Sequence, residues 1–152
     1  MVINKLTLIF IIFSFGICTS YAQKLRNIKH FNSEVLNNID TENYYECIGV
    51  YFADKNYNII EVLNNTSTRI LKFEKNGYIL SSGDSNNKDG YRGVLYLKRK
   101  KIKIDLIDGT SDRSRYIQPY NVKIEGNKIH LLQQPFIIND PLLYLIYELK
   151  KK

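Results

Sequence analysis

The sequence predicts an all-β protein: an up-and-down antiparallel meander of about eight or nine strands closing into a barrel, with a short N-terminal helix. Three observations carry this. From Tyr44 onward apolar and polar residues alternate, most clearly where Ile102, Ile104 and Leu106 interleave with Lys101, Lys103 and Asp105, which is the period of a half-buried strand. Short connectors separate the runs, and Asn76-Gly77 and Gly126-Asn127 offer residues that tolerate the positive φ of tight hairpins. Strands joined by hairpin-length links become antiparallel neighbours, and eight or nine of them tend to close because closure removes exposed edges.

In chain order, residues 1–22 read as a secretory signal peptide. Lys5 is its positive region, Leu6 to Ile17 its apolar core, and Ser20-Tyr21-Ala22 places small residues at −3 and −1 before Gln23. The apolar run falls short of the roughly 20 residues of a membrane span, and the bulky Ile17 argues against acylation of Cys18. The expected product is a secreted or periplasmic single domain, 23–152, without stable membrane insertion of the mature chain. A domain of that size can bury roughly two thirds of its surface.

Cleavage also removes Cys18 and leaves Cys47 without an internal partner, so stability must come from packing. Cys47 opens the apolar run Cys47-Ile48-Gly49-Val50-Tyr51-Phe52, with no His or Lys beside it to lower its pKa. It is expected to be a buried, inert thiol. Net charge is +7 for the whole chain and +6 once Lys5 is gone. That surplus accompanies a general richness in Lys, Asn, Ile and Tyr, so charge alone does not specify an anionic partner.

Leu25, Ile28, Phe31, Val35 and Ile39 fall at three- and four-residue steps, predicting an amphipathic helix over about 24–39 that lies against one end of the sheet. Asn32-Ser33 could interrupt it. Strands are then predicted at 44–53, 57–63, 67–75, 78–83, 91–98, 101–107, 115–125, 128–134 and 142–149. Two polar loops, 84–90 and 108–114, are longer than the other connectors. A third, Pro135 to Pro141, is kept out of the ladder by its prolines.

Chemistry-bearing constellations are sparse. His30 lies on the predicted helix and His130 on the polar face of a strand, both expected to face solvent, and no motif joins either to Cys47 or a Ser. Two distant histidines and one Cys have no zinc spacing. The loop Asp84-Ser85-Asn86-Asn87-Lys88-Asp89-Gly90 fails as a calcium loop at Lys88, at Asp89 and at its missing twelfth-position Glu. Asp105, Asp108 and Asp112 leave room for a loose calcium site or a carboxylate pair, and loop solubility accounts for them equally. The reading is therefore a non-enzymatic protein with no catalytic residue, metal or cofactor.

Two features remain. Lys98-Arg99-Lys100-Lys101, with Lys103, is the densest charge and falls on a hairpin tip: an anion- or partner-binding surface, or a solubilising guard of the sheet edge. Nucleic acid is not an expected partner, since it needs such a patch joined to stacking aromatics. Tyrosines at 51, 78, 96, 116, 120 and 147 lie on predicted strands, and Tyr116, Gln118, Tyr120, Val122 and Ile124 share one face by parity. The expected ligand-lining set is Tyr51, Phe73, Tyr96, Ile104, Tyr116 and Tyr120, rings with polar tips suiting a small, mostly apolar ligand. The competing reading is that these tyrosines simply fill the core.

The order of parts, with Gly49-Val50-Tyr51 on the first strand and Thr110-Ser111-Asp112 ahead of Tyr116, resembles the lipocalin-like families. Tyr51 stands where their Gly-x-Trp has Trp. The chain departs from them in lacking any Trp, in having no possible disulfide pair, and in ending on a strand. The resemblance implies a meander barrel but not a function; the expected small apolar ligand rests on the meander pattern, the export signal and the aromatic strand face. The alternative function is an envelope-associated or extracellular protein-interaction or inhibitor module presenting loops 84–90 and 108–114 and the basic tip.

Overall fold

The structure, a computed structural model, describes residues 26–63, 69–82, 93–108, 116–135 and 141–151. It contains β1 (Tyr44–Ala53), β2 (Ile59–Val62), β3 (Ile70–Phe73), β4 (Tyr78–Ser82), β5 (Gly93–Lys98), β6 (Lys101–Asp108), β7 (Tyr116–Glu125), β8 (Lys128–Gln133) and β9 (Leu142–Lys150). Every pairing is antiparallel, and β3 through β9 follow sequence order. The predicted meander is present and closed: β1 pairs with β9 from Tyr44↔Lys150 to Ala53↔Leu142, which leaves eight strands in a continuous wall.

β2 is the extra strand. It and β3 run beside the same edge of β1, β2 along Tyr51–Ala53 and β3 along Tyr45–Glu46. All four β2 residues are exposed, including Ile59, Ile60 and Val62.

Turn chemistry fixes three hairpins at one end of the barrel. The two-residue turns Arg99-Lys100 and Gly126-Asn127 join β5 to β6 and β7 to β8. Gly126 at φ 59° suits the first central position of a primed turn. Between β3 and β4, Gly77 sits at φ 85°, and a Cβ there would collide with the Phe31 ring. Glycine thus permits both the turn and the seat of the N-terminal segment. We call this the turn end; β1, β4, β6 and β8 run from it to the mouth end.

The N-terminal region corrects the single predicted helix. It forms two 3-10 turns, Arg26–His30 and Ser33–Asn38. Asn32 is extended at φ −131°, and its side chain accepts a hydrogen bond from the Glu34 N–H at 3.0 Å. Asparagine competes for local backbone groups in this way and restarts the helix rather than continuing it. Val35 of the second turn and Ile39, which caps it, join the core at the turn end, while the first turn packs on the outside of β5.

The core runs up the barrel interior. Tyr45 and Val50 of β1, Leu71 and Phe73 of β3, Ile79, Leu95, Ile104 and Leu106, Tyr120, Ile129 and Leu131, and Leu145 and Tyr147 are each under 9% exposed and form one cluster with contributions from all eight wall strands. A second cluster, Ala53, Leu132, Leu142 and Tyr144 with Tyr51, Tyr57 and Ile146 against it, occupies the opposite parity and therefore the outer face of β1, β8 and β9. A bulge in β1 between Cys47 and Gly49 links the two. One added residue reverses parity, so Tyr45 faces in, Ile48 is left 45% exposed, and Tyr51 faces out. The Tyr51 ring folds back over Gly49, where a Cβ would clash, a physical reason for the Gly-Val-Tyr spacing.

Candidate functional site

Inward positions change character at the mouth. The register pairs Tyr120 with Ile104 and Gln133, and Gln118 with Leu106, so two carboxamides face inward around the upper rim of the apolar core. Gln118, only 2% exposed, accepts from Gln133 Nε2 at 2.8 Å and donates its own Nε2 to the Pro119 carbonyl at 3.1 Å. Gln133 Oε1 accepts from the Leu143 N–H at 3.1 Å. Each amide carries two N–H donors and two lone pairs; among the described residues each uses one of either kind. Leu106 and Leu143 flank the pair, Phe52 shares a face with Leu143, and Tyr116 stands at the rim, 50% exposed. The site is an apolar collar with an amide pair that retains hydrogen-bonding capacity.

The six residues predicted to line a ligand site are divided by the fold. Phe73, Ile104 and Tyr120 lie in the interior core, and Tyr116 follows Tyr120 and Gln118 along the inner face to the mouth. Tyr51 faces outward because of the β1 bulge. Tyr96 is also on the outer face, its register partner being Lys103, yet it is 3% exposed because the first 3-10 turn covers it. Its hydroxyl donates to Asp105 Oδ1 at 2.8 Å, and Asn27 Nδ2 donates to Asp105 Oδ2 at 2.6 Å. Burial, with Asp105 beside it, pushes the Tyr96 phenol well above its ordinary range. Gln133 was missing from the sequence-based set. Its signal was parity with Ile129 and Leu131 on the same strand.

His130 departs from the solvent-facing expectation. It is 8% exposed on the outer wall, stacked on Tyr144 with centroids 5.9 Å apart. Nδ1 lies 2.6 Å from the Tyr144 hydroxyl, while Nε2 is buried without a hydrogen bond, 3.3 Å from Glu125 Oε2. Tyr51 and Tyr57 pack on the same Tyr144 ring at 5.8 and 5.5 Å, so the ring that covers the imidazole is itself held by two further aromatics. Burial holds its pKa below the ordinary value, Lys123 and Lys128 adding to this and Glu125 opposing it. The folded protein therefore keeps His130 neutral while the unfolded chain takes up a proton near pH 6.5. This contribution to stability is complete above that pH and is lost as pH falls through the folded pKa, with a slope of at most about 1.4 kcal/mol per pH unit. Thermal melts between about pH 7.5 and about pH 5 should show a declining Tm whose slope flattens in His130→Leu. An unchanged slope in that variant would place the titration elsewhere.

Cys47 is half-buried against the core, its thiol donating to the Gly49 carbonyl at 3.5 Å. Burial pushes its pKa up, which disfavours the reactive thiolate. His30 is exposed on the first 3-10 turn. Among the described residues no group of three or more His, Cys, Asp or Glu is placed to hold a metal ion. A cleft of about 330 Å³ at the turn end lies among Thr41, Glu42, Lys72, Glu74, Lys75 and Asn76, with a Lys75–Glu42 ion pair of 3.0 Å among its exposed lining groups. The polar loops 84–90 and 109–114, the calcium-like stretch and Asp112 lie outside the described residues. The described ends of β4 and β6 finish at the mouth end, whereas the basic tip lies at the turn end.

No family model, curated protein or solved structure matches the chain. The closed eight-strand barrel is compatible with the lipocalin-like architecture that the strand pattern resembles. Among the described residues no helix is long and apolar enough to cross a membrane.

Proposed function

We propose that this chain is an exported, non-enzymatic barrel that takes a small, mostly apolar ligand bearing one polar group, held at the mouth rather than deep in the interior. The observation that carries this is the Gln118–Gln133 pair, one amide buried and the other half-buried, set between Leu106, Leu143 and the core. Amides so placed fix a ligand's orientation by hydrogen bonds while apolar neighbours supply the contact area. Tyr116 adds a ring at the rim and Tyr120 forms part of the floor. The lower and middle levels of the barrel are occupied by core side chains, which supports a ligand at the upper rim over one in the interior. Export rests on the leader pattern of residues 1–22.

Displacement of a polarity-sensitive apolar dye, together with native mass spectrometry of protein purified from its source, tests the reading. Native protein should take up the dye and carry a bound species. Gln133→Leu keeps the collar apolar but removes one partner, and should weaken a ligand with a polar group roughly 3- to 10-fold, the range of a net hydrogen bond. Absence of both dye uptake and bound species would end the proposal.

A further inference from the structure

The β5–β6 tip is built against local preference. Its two central residues, Arg99 and Lys100, have φ 52° and 62°, a left-handed conformation that side-chain-bearing residues disfavour and that Asn-Gly would adopt readily. Lys98 sits directly across the ladder from Lys101, a like-charge pairing that weakens a sheet. Lys103 follows on the same face, its amine pKa depressed by burial and then by Lys101 and Lys98. Two unfavourable choices meet at one hairpin where a commonplace turn would serve.

Neutralisation is also uneven at this end. Lys75 pairs with Glu42, Lys123 with Glu125, and Lys150 with Glu148. Among the described residues no carboxylate pairs with the exposed Lys98, Arg99, Lys100 or Lys101. Four consecutive exposed cations therefore stand together on one two-residue hairpin.

We infer that this tip docks the barrel reversibly onto an anionic lipid bilayer through headgroup phosphates. A small free anion is held in concave sites, whereas these four side chains are all exposed on a tight turn and the strand ends beside it. Base stacking has no platform there: among the described residues the exposed large apolar ones are Ile48, Ile59, Ile60, Val62 and Tyr116, none of them on this hairpin. A layer of headgroups can meet all four exposed cations at once, and attraction of this kind needs no inserted apolar anchor. The mouth then faces away from the surface.

Flotation with phosphatidylcholine vesicles, and with equal mixtures of phosphatidylcholine and phosphatidylglycerol, tests the inference. The native chain should float only with the anionic vesicles. It should be released when ionic strength rises from about 0.1 M to about 1 M and the screening length falls from about 10 Å to about 3 Å. Arg99→Asn combined with Lys100→Gly suits the observed backbone, so Tm should be undiminished while partitioning weakens about thirty-fold, about fivefold per charge removed. Lys98→Gln with Lys101→Gln, at ordinary strand positions, should weaken it equally. Failure to bind anionic vesicles, undiminished binding by both variants, equal binding to neutral vesicles, or stronger capture by soluble heparin than by the vesicles would each overturn it. Mouth-site variants should leave flotation unchanged.

Discussion

Tyr120→Ala is expected to destabilise the protein by about 3–5 kcal/mol, the usual range for removing a large aromatic ring from a packed core. Tyr120 is 1% exposed and joins the interior cluster from β7, with Ile104 beside it on β6 and Gln133 on β8. The void would open directly beneath the amide pair, where β6, β7 and β8 cannot draw together without breaking their ladders. Against a typical total of about 5–15 kcal/mol, Tm should fall on the order of 10–20 °C. Tyr116→Ala is the internal control: two residues along the same face but 50% exposed, it should cost less than about 1 kcal/mol. Urea denaturation of the two variants checks this, and equal losses would mean that the inner face of β7 is not packed as described.

Asp105→Ala should cost about 2–4 kcal/mol, more than the value of either hydrogen bond alone. The carboxylate, 5% exposed, accepts from both Tyr96 and Asn27, and removing it leaves the buried Tyr96 hydroxyl without its acceptor. It also removes the polar link between the first 3-10 turn and the barrel wall. Asp105→Asn keeps an acceptor oxygen and should lose roughly half as much. Hydrogen exchange at residues 26–30 separates this local role from a general one, because Asp105→Ala should speed exchange there ahead of the barrel strands. Unchanged protection of that segment would refute the link.

How much of this was legible in the sequence varies with the range of the interaction. Strand positions could be read closely: 44–53 coincides with β1, and 101–107 and 142–149 each fall one residue short of β6 and β9. The facing of Tyr120, Gln118 and Tyr116 follows from parity because β7 has no register shift in its pairing with β6. The same rule fails for Tyr51, since the extra residue at Ile48 is defined only by what β1 faces on β9. His130 reads as polar-faced and solvated until Tyr144, fourteen residues away, is seen to cover it. The predicted helix broke at Asn32 because a side-chain hydrogen bond two residues along outweighs a narrow apolar stripe.

Alternation, turn residues and link lengths by themselves determined that this polypeptide would form antiparallel hairpins with one apolar face, since each is a property of a few neighbouring residues. Tertiary structure alone decided that β2 lies outside the closed wall while β3 joins β1, that Gln118 meets Gln133 at the mouth, and that the Lys98–Lys101 hairpin stands at the far end. Those outcomes depend on the register between strands distant in sequence, which is set by the collective packing of the barrel interior and not by any local run.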